Sequence, residues 1–323
     1  MSFDLPDHWV WDFWTADDGA QTHLYYLHAP RSLGDPHLRH RNARIGHATS
    51  TDLRTWVDHG PVLEPGGPGA VDADATWTGS IVRADDGEWQ MFYTGSRFLA
   101  ADAHANIETV AVAVSRDLHS WRKAPERSLS APFGQYETLG SSVWPEEAWR
   151  DPWVMREPDG TWSMLLTARS VDGEDELDRG VVGLALSPDL VTWTTAPPRS
   201  APGAGFRHIE VPQIVEIDGH RVLLFSCDTA ALAGRRERAG GPGGVWWVEL
   251  GGPGEPYPVE RAQLLVDDRL YAGRLVRDRD GGLNLLAFRN VDAAGDFGGG
   301  LTDPMPVAWR DGALRMAPAA VPA

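Results

Sequence analysis

A single cysteine, Cys227, stands in a chain of 323 residues. An internal disulfide framework is therefore excluded. Long apolar runs are also missing. None approaches the roughly 18 residues of a spanning helix, so no membrane partner is expected. The opening residues Met1-Ser2-Phe3-Asp4-Leu5-Pro6 carry neither a basic nor an apolar leader segment. No signal peptide is expected from them, and the simplest reading is a soluble cytoplasmic protein. Positive charge is scarce. Lys and Arg number 29 against 46 Asp and Glu, for a net charge of −17. That excess of acid argues against nucleic acid as a partner and weighs against a phosphorylated substrate. Helical periodicity is nearly absent. The length allows one large domain or two small ones, with a sizeable core.

What the chain has in quantity is tryptophan, with 15 residues. Most are expected to pack strands and core. Three of them crowd Trp9-Val10-Trp11-Asp12-Phe13-Trp14, around one carboxylate. Flat aromatic rings stack on the apolar faces of sugars, and a low dielectric sharpens the electrostatics of an acid. This stretch precedes the Asp18-Gly19 pair, a strong hairpin signal. Equivalent pairs follow at Asp86-Gly87, Asp159-Gly160, Asp218-Gly219 and Asp280-Gly281, spaced by subtraction at 68, 73, 59 and 62. Each is followed by an apolar, strand-like run.

A second element repeats in phase with the first. Ser50 to Trp56, Ser115 to Trp121 and Ser187 to Trp193 share the pattern S-x-D-L-x-x-W. It is read as the tight connection from a third strand to a fourth. The Asp caps the turn, and the Leu and Trp pack between sheets. Repeats of this length with about four strands each predict an all-β, five-bladed β-propeller. The whole of 1–323 is read as one catalytic domain with no appended β-sandwich. The chain should begin on an innermost strand and end on an outermost one. The segments 31–41, 172–178 and 231–242 are read as loops. The acidic run Asp172, Glu174, Asp175, Glu176, Asp178 lacks EF-hand spacing and is read as solvated.

Innermost propeller strands start together at one mouth. At that position the five units carry Trp11-Asp12, Trp77-Thr78-Gly79-Ser80, Trp149-Arg150-Asp151-Pro152, His208-Ile209-Glu210-Val211-Pro212 and Leu270-Tyr271-Ala272-Gly273. Three acids, an arginine, a tyrosine and two tryptophans should converge there. Carboxylates so opposed suit glycoside hydrolysis, in which one is ionised and another protonated. Asp12 is expected to stay ionised among polar neighbours. Glu210, flanked by Ile209 and Val211, is expected to be raised by desolvation. His208 and Glu210 form an H-x-E pair without a third ligand of suitable spacing, so no metal is expected there. No cofactor is expected. Cys227 reads as a buried structural thiol, and His37, His40 and His47 as solvated or rim residues.

These motifs carry a resemblance. Val10-Trp11-Asp12-Phe13-Trp14 resembles the V-W-D-x-W motif of the levansucrases, glycoside hydrolase family 68. Trp77-Thr78-Gly79-Ser80 is similar to the W-S-G-S stretch shared with the invertases of family 32. Arg150-Asp151-Pro152 matches the R-D-P motif of both, and Glu210-Val211-Pro212 resembles the E-C-P or E-R-P of the two. Leu270-Tyr271-Ala272-Gly273 resembles the fifth invertase blade. The resemblance implies a retaining, two-step reaction on a furanoside, most often a β-fructofuranoside. Asp12 would be the nucleophile and Glu210 the acid/base. Asp151 would stabilise the transition state. Trp11, Trp77, Ser80, Arg150, His208 and Tyr271 would bind substrate.

Several positions depart from those patterns. The invertase N-D-P-N-G motif is absent, and Phe13 replaces the serine that usually follows the levansucrase aspartate. His208 replaces an acid that faces the leaving group. The expectation is a β-fructofuranosidase-type hydrolase or small-acceptor transferase acting on a small oligosaccharide. An arabinofuranosidase or galactofuranosidase of the same architecture, retaining or inverting, is an alternative. So is a sugar-binding propeller without turnover.

Overall fold

The computed structural model describes residues 3–100, 102–292 and 294–317. Five antiparallel sheets follow one another along the chain as the blades of a propeller. Blade one is β1 (His8–Asp17), β2 (Thr22–Pro30), β3 (Arg44–Ser50) and β4 (Val57–Leu63). Blade two is β5 (Ala75–Arg83), β6 (Trp89–Phe98), β7 (Asn106–Ser115), β8 (Arg122–Lys123) and β9 (Leu129–Ser130), the last two both pairing with β7. Blade three is β10 (Trp149–Arg156), β11 (Trp162–Arg169), β12 (Gly180–Ser187) and β13 (Thr194–Ala196). Blade four is β14 (Glu210–Ile217), β15 (His220–Cys227), β16 (Gly244–Glu249) and β17 (Gln263–Asp267). Blade five is β18 (Leu270–Arg277), β19 (Leu283–Arg289), β20 (Met305–Arg310) and β21 (Ala313–Met316). The path begins on an innermost strand and ends on an outermost one, as the phase of the repeats predicts.

Each Asp-Gly pair sits in the hairpin between the first and second strands of its blade. Its glycine takes the left-handed φ that the turn demands, from 83° at Gly219 to 94° at Gly19. The S-x-D-L-x-x-W segments join third strands to fourth. In each, one Asp carboxylate accepts two backbone N–H groups, such as His119 N (2.8 Å) and Ser120 N (2.7 Å) on Asp117. The Leu beside it is left-handed in all three copies, with φ of 59°, 63° and 64°. That conformation is costly for leucine. It is held because the side chains of Leu53, Leu118 and Leu190 are buried. The two later tryptophans reach across to the preceding blade. Trp121 meets Tyr25 edge-on, and Trp193 meets Phe92. The apolar core therefore lies in the seams, where the faces of neighbouring sheets meet.

Two of the expected loops contain helical turns. Short 3-10 helices occupy Arg31–Leu33 and Pro36–Arg39, and α1 spans Gly234–Ala239. Such pieces are too short to show a 3.6-residue apolar period, which is why the sequence hides them. Segment 172–178 has neither helix nor strand. No helix among the described residues is long and apolar enough to cross a membrane.

One irregularity recurs in every innermost strand. The register shifts between Trp11 and Phe13, Trp77 and Gly79, Arg150 and Trp153, Glu210 and Gln213, and Tyr271 and Arg274. Each shift is a β-bulge that frees residues from the ladder and re-aims side chains. In blade two the bulge needs Gly79, because a Cβ there would meet the Phe92 carbonyl oxygen at 2.1 Å. In blades three to five it places non-glycine residues in the left-handed region. These are Asp151 (φ 55°), Val211 (φ 52°) and Ala272 (φ 48°). Strain of this kind costs about 1–3 kcal/mol per residue and persists only where surroundings enforce it.

Candidate active site

The five bulges bring their residues to one cavity of about 680 Å³, within the size range of small-molecule sites. Trp11, Asp12, Trp77, Arg150, Asp151, His208, Glu210 and Tyr271 all line it. Of the residues expected from sequence, Ser80 alone is not brought there. It is buried, and its Oγ accepts the backbone N–H of Val154 (3.0 Å), tying blade two to blade three. Thr78, two residues earlier, takes the position at the cavity. The bulge between Trp77 and Gly79 interrupts the alternation of faces that would put Thr78 and Ser80 on one side.

Hydrogen bonds fix the three acids differently. Asp12 receives the Thr78 hydroxyl on Oδ2 at 2.5 Å. Asp151 accepts on Oδ2 from the Thr167 hydroxyl (2.7 Å) and from the Val211 N–H (3.1 Å). Its own N–H donates to Thr94 Oγ1 at 2.9 Å. The left-handed backbone at Asp151 and Val211 is thus stabilised by bonds to the site itself. Glu210 is held at both oxygens. Arg150 donates to Oε1 at 2.7 Å and the Tyr271 hydroxyl to Oε2 at 2.5 Å. His208 Nε2 stands 3.4 Å from the same Oε2.

Arg150 is anchored from behind by Glu108, whose two oxygens lie 3.2 Å from Nη1. Glu108 is fully buried on β7 and also accepts the Trp149 N–H at 2.9 Å. Sequence reasoning missed Thr78, Thr94, Glu108 and Thr167. Thr94, Glu108 and Thr167 lie on second and third strands, outside the repeated position. The aromatic wall is built as expected at Trp11 and Trp77. The Trp77 indole N–H donates to the His40 carbonyl at 2.7 Å. Arg39 extends over Trp11 and Phe297 at the rim. Trp9 and Trp14 are buried in the blade.

The protonation pattern corrects the expectation for both acids. Burial, with the nearby Asp151 carboxylate next in size, pushes Asp12 up to about 7 despite its bond from Thr78. Glu210 goes the other way. Burial raises it, but His208, Arg150 and the Tyr271 hydroxyl together bring it down to about 2. Its chain neighbours misled the reading. Ile209 is fully buried, yet His208, two residues before Glu210, and Arg150 from blade three outweigh that burial. Tyr271 is raised well above the usual phenol range by burial and by Glu210, so it remains a donor. Arg150 remains a cation, because the surrounding carboxylates outweigh its burial.

Residues 18–240 match the model of the glycosyl hydrolases family 32 N-terminal domain. That match takes in well over half of the chain, including Arg150, Asp151 and Glu210. The chain belongs to glycosyl hydrolase family 32. This family 32 chain is 28% identical to the raffinose invertase of Escherichia coli over 316 residues, 92% of its own length and 59% of the invertase. It spans between about a quarter and three fifths of the length of curated relatives it matches. Among solved structures, the inulosucrase from Halalkalicoccus jeotgali bound to kestose superposes with a TM-score of 0.79 at 24% identity. That alignment covers 97% of this chain and 87% of the inulosucrase. The Bombyx mori β-fructofuranosidase gives 0.73 at 20% identity, covering 99% of this chain and 64% of that one. At such identities the structures establish a shared fold. The family 32 model thus matches although the N-D-P-N-G motif is absent, and its matched range begins after Asp12.

Proposed function

We propose that this family 32 propeller is a retaining β-fructofuranosidase-type glycoside hydrolase acting on a small oligosaccharide. The convergence of Asp12, Asp151 and Glu210 on one aromatic-walled cavity carries the reading. Asp12 attacks the anomeric carbon and forms the glycosyl-enzyme. Glu210 protonates the leaving oxygen, then activates water or a sugar hydroxyl as acceptor. Asp151, fixed by Thr167 and Val211, holds the furanose hydroxyls. Trp11 and Trp77 wall the glycone pocket, and Arg150, Tyr271 and His208 position Glu210. The roles require a proton on Glu210, whereas the free site keeps one on Asp12. Sugar hydroxyls donating to Asp12 and Asp151 favour their ionised forms and move that proton across. A cytoplasmic location belongs to the same proposal and fits the single, buried, unpaired Cys227. Fractionation tests it.

A substrate screen of sucrose, short fructans and aryl furanosides is expected to show release of fructose. NMR of the first-formed product is expected to show retained configuration. Inversion would sink the nucleophile role of Asp12, and release of arabinose or galactose alone would sink the fructoside assignment.

The pH profile gives a further expectation. The raised pKa of Asp12 means that the carboxylate cluster gives up this proton near pH 7. Without it Glu210 cannot act as acid. Hence kcat/KM is expected to hold its plateau below about pH 7 and to fall tenfold per pH unit above it. A profile flat to about pH 9 would contradict this.

A further inference from the structure

A second cluster of titratable side chains lies away from the sugar cavity, at the seam between blades one and two. His23 on β2, His47 on β3, His59 on β4 and His119 in the turn after β7 come together there. None of them lines the cavity. The ring of His47 stacks between Tyr25 (4.9 Å between centroids) and His59 (4.9 Å), with His119 edge-on at 4.9 Å. One ring nitrogen from each of His47, His59 and His119 lies within 4.8 Å of the others. The expectation that His47 sits at a solvated rim is corrected, because it is 1% exposed. His37 and His40 do sit at the cavity rim.

Hydrogen bonding fixes the tautomers. Asp18 is held ionised, at about 2, chiefly by the Gln21 backbone N–H. Its Oδ2 lies 3.3 Å from His23 Nε2, so that nitrogen carries the proton and donates. His23 and His47 are both buried, which favours the uncharged ring. His23 Nδ1 is then an acceptor, and it sits 3.0 Å from His47 Nε2, which must donate. That leaves His47 Nδ1 as a bare lone pair. It is buried and has no hydrogen-bond partner among the described residues. A buried imidazole whose other nitrogen is oriented by a chain ending in a carboxylate is the arrangement that metal-binding histidines use. His59 and His119 are exposed, so their rings can swing inward to shorten the nitrogen separations.

We propose that His47, His59 and His119 bind a divalent transition-metal cation of the zinc class, clamping blade one to the turn of blade two. Three imidazole ligands suit zinc, nickel or copper and leave a fourth position for water. The clamp would reinforce a seam already held by the Tyr25 hydroxyl, which donates to the Leu118 carbonyl at 2.6 Å. The sequence hides this set because its members stand at 23, 47, 59 and 119, with no metal-motif spacing.

The test uses the full chain without a histidine tag and with zinc chloride as the probe. Calorimetric titration is expected to show one saturable equivalent. Zinc at about 100 times its dissociation constant is expected to raise the thermal midpoint by on the order of 2–5 °C. X-ray absorption should give nitrogen ligands at about 2.0–2.1 Å. His59→Ala and His119→Ala, both at exposed positions, should leave the metal-free midpoint and turnover unchanged and weaken zinc at least tenfold. Absence of saturable binding below millimolar zinc would overturn the proposal. So would unchanged binding in the double variant, which would place zinc elsewhere, such as on the acids of the cavity.

Discussion

Asp12→Asn is expected to abolish turnover and, at the same time, to make the protein more stable at pH 8. The first effect follows from losing the nucleophile, for which a drop of ~10⁴-fold or more in kcat is the expected scale. Sugar affinity should survive, because Trp11, Trp77 and Asp151 remain. The second effect follows from linkage. The folded-state pKa of Asp12, about 7, lies above the ordinary aspartate value of 3.8. Between those values the folded protein keeps a proton that the unfolded chain has released. Stability therefore falls as pH rises through this window, and the loss is complete above about pH 7. About three pKa units correspond to roughly 4 kcal/mol. Asp12 is partly exposed to the cavity, and water there reduces the figure to about 2–4 kcal/mol. Asparagine does not ionise, so the variant should melt several degrees higher at pH 8 and near the parent at pH 4. Thermal scans at the two pH values, with kinetics on the best substrate, check both halves. A variant that turns over at more than a few per cent, or that melts lower at pH 8, would refute the assignment.

Glu210→Gln should also lose turnover but should shift stability in the opposite sense. Its loss of turnover should depend on the leaving group. General acid catalysis is worth roughly 10²–10⁴-fold, so natural oligosaccharides should lose about that much. Activated aryl furanosides need little protonation and should lose less than about tenfold. Equal losses on both substrates would argue against the acid role. Stability should fall, because Glu210 is ionised and bonded by Arg150 and Tyr271. A glutamine keeps the Tyr271 bond but removes one anion from a buried guanidinium. Glu108 continues to hold Arg150, so the cost is expected at about 1–3 kcal/mol. Two adjacent carboxylates thus carry opposite stability signs, which chemical denaturation of the two variants would measure.

The propeller was legible because its turns are chemically demanding. Asp-Gly hairpins and the S-x-D-L-x-x-W connection each need particular residues at particular offsets, and they recur in phase. The acids were legible for a related reason, since Asp12, Asp151 and Glu210 stand seven, nine and nine residues before the glycines of those turns. What the sequence concealed were relations across blades. The family resemblance implies a substrate-binding role for Ser80, and the bulge gives the place at the cavity to Thr78. The flanking Ile209 and Val211 suggest a raised Glu210, but His208 and Arg150 lower it, and burial with Asp151 raises Asp12. Glu108 and the four clustered histidines lie on different strands and turns, and no local pattern marks them.

The bulge shared by all five innermost strands has an evolutionary consequence. Side chains at those positions are released from the ladder. Where the local backbone conformation permits, a side chain there can be exchanged with little penalty to sheet pairing, while the hairpins and seams that build the scaffold are left untouched. Each blade thus behaves as a socket into which a different chemical group can be fitted. Specificity can drift one socket at a time without passing through an unfolded ancestor.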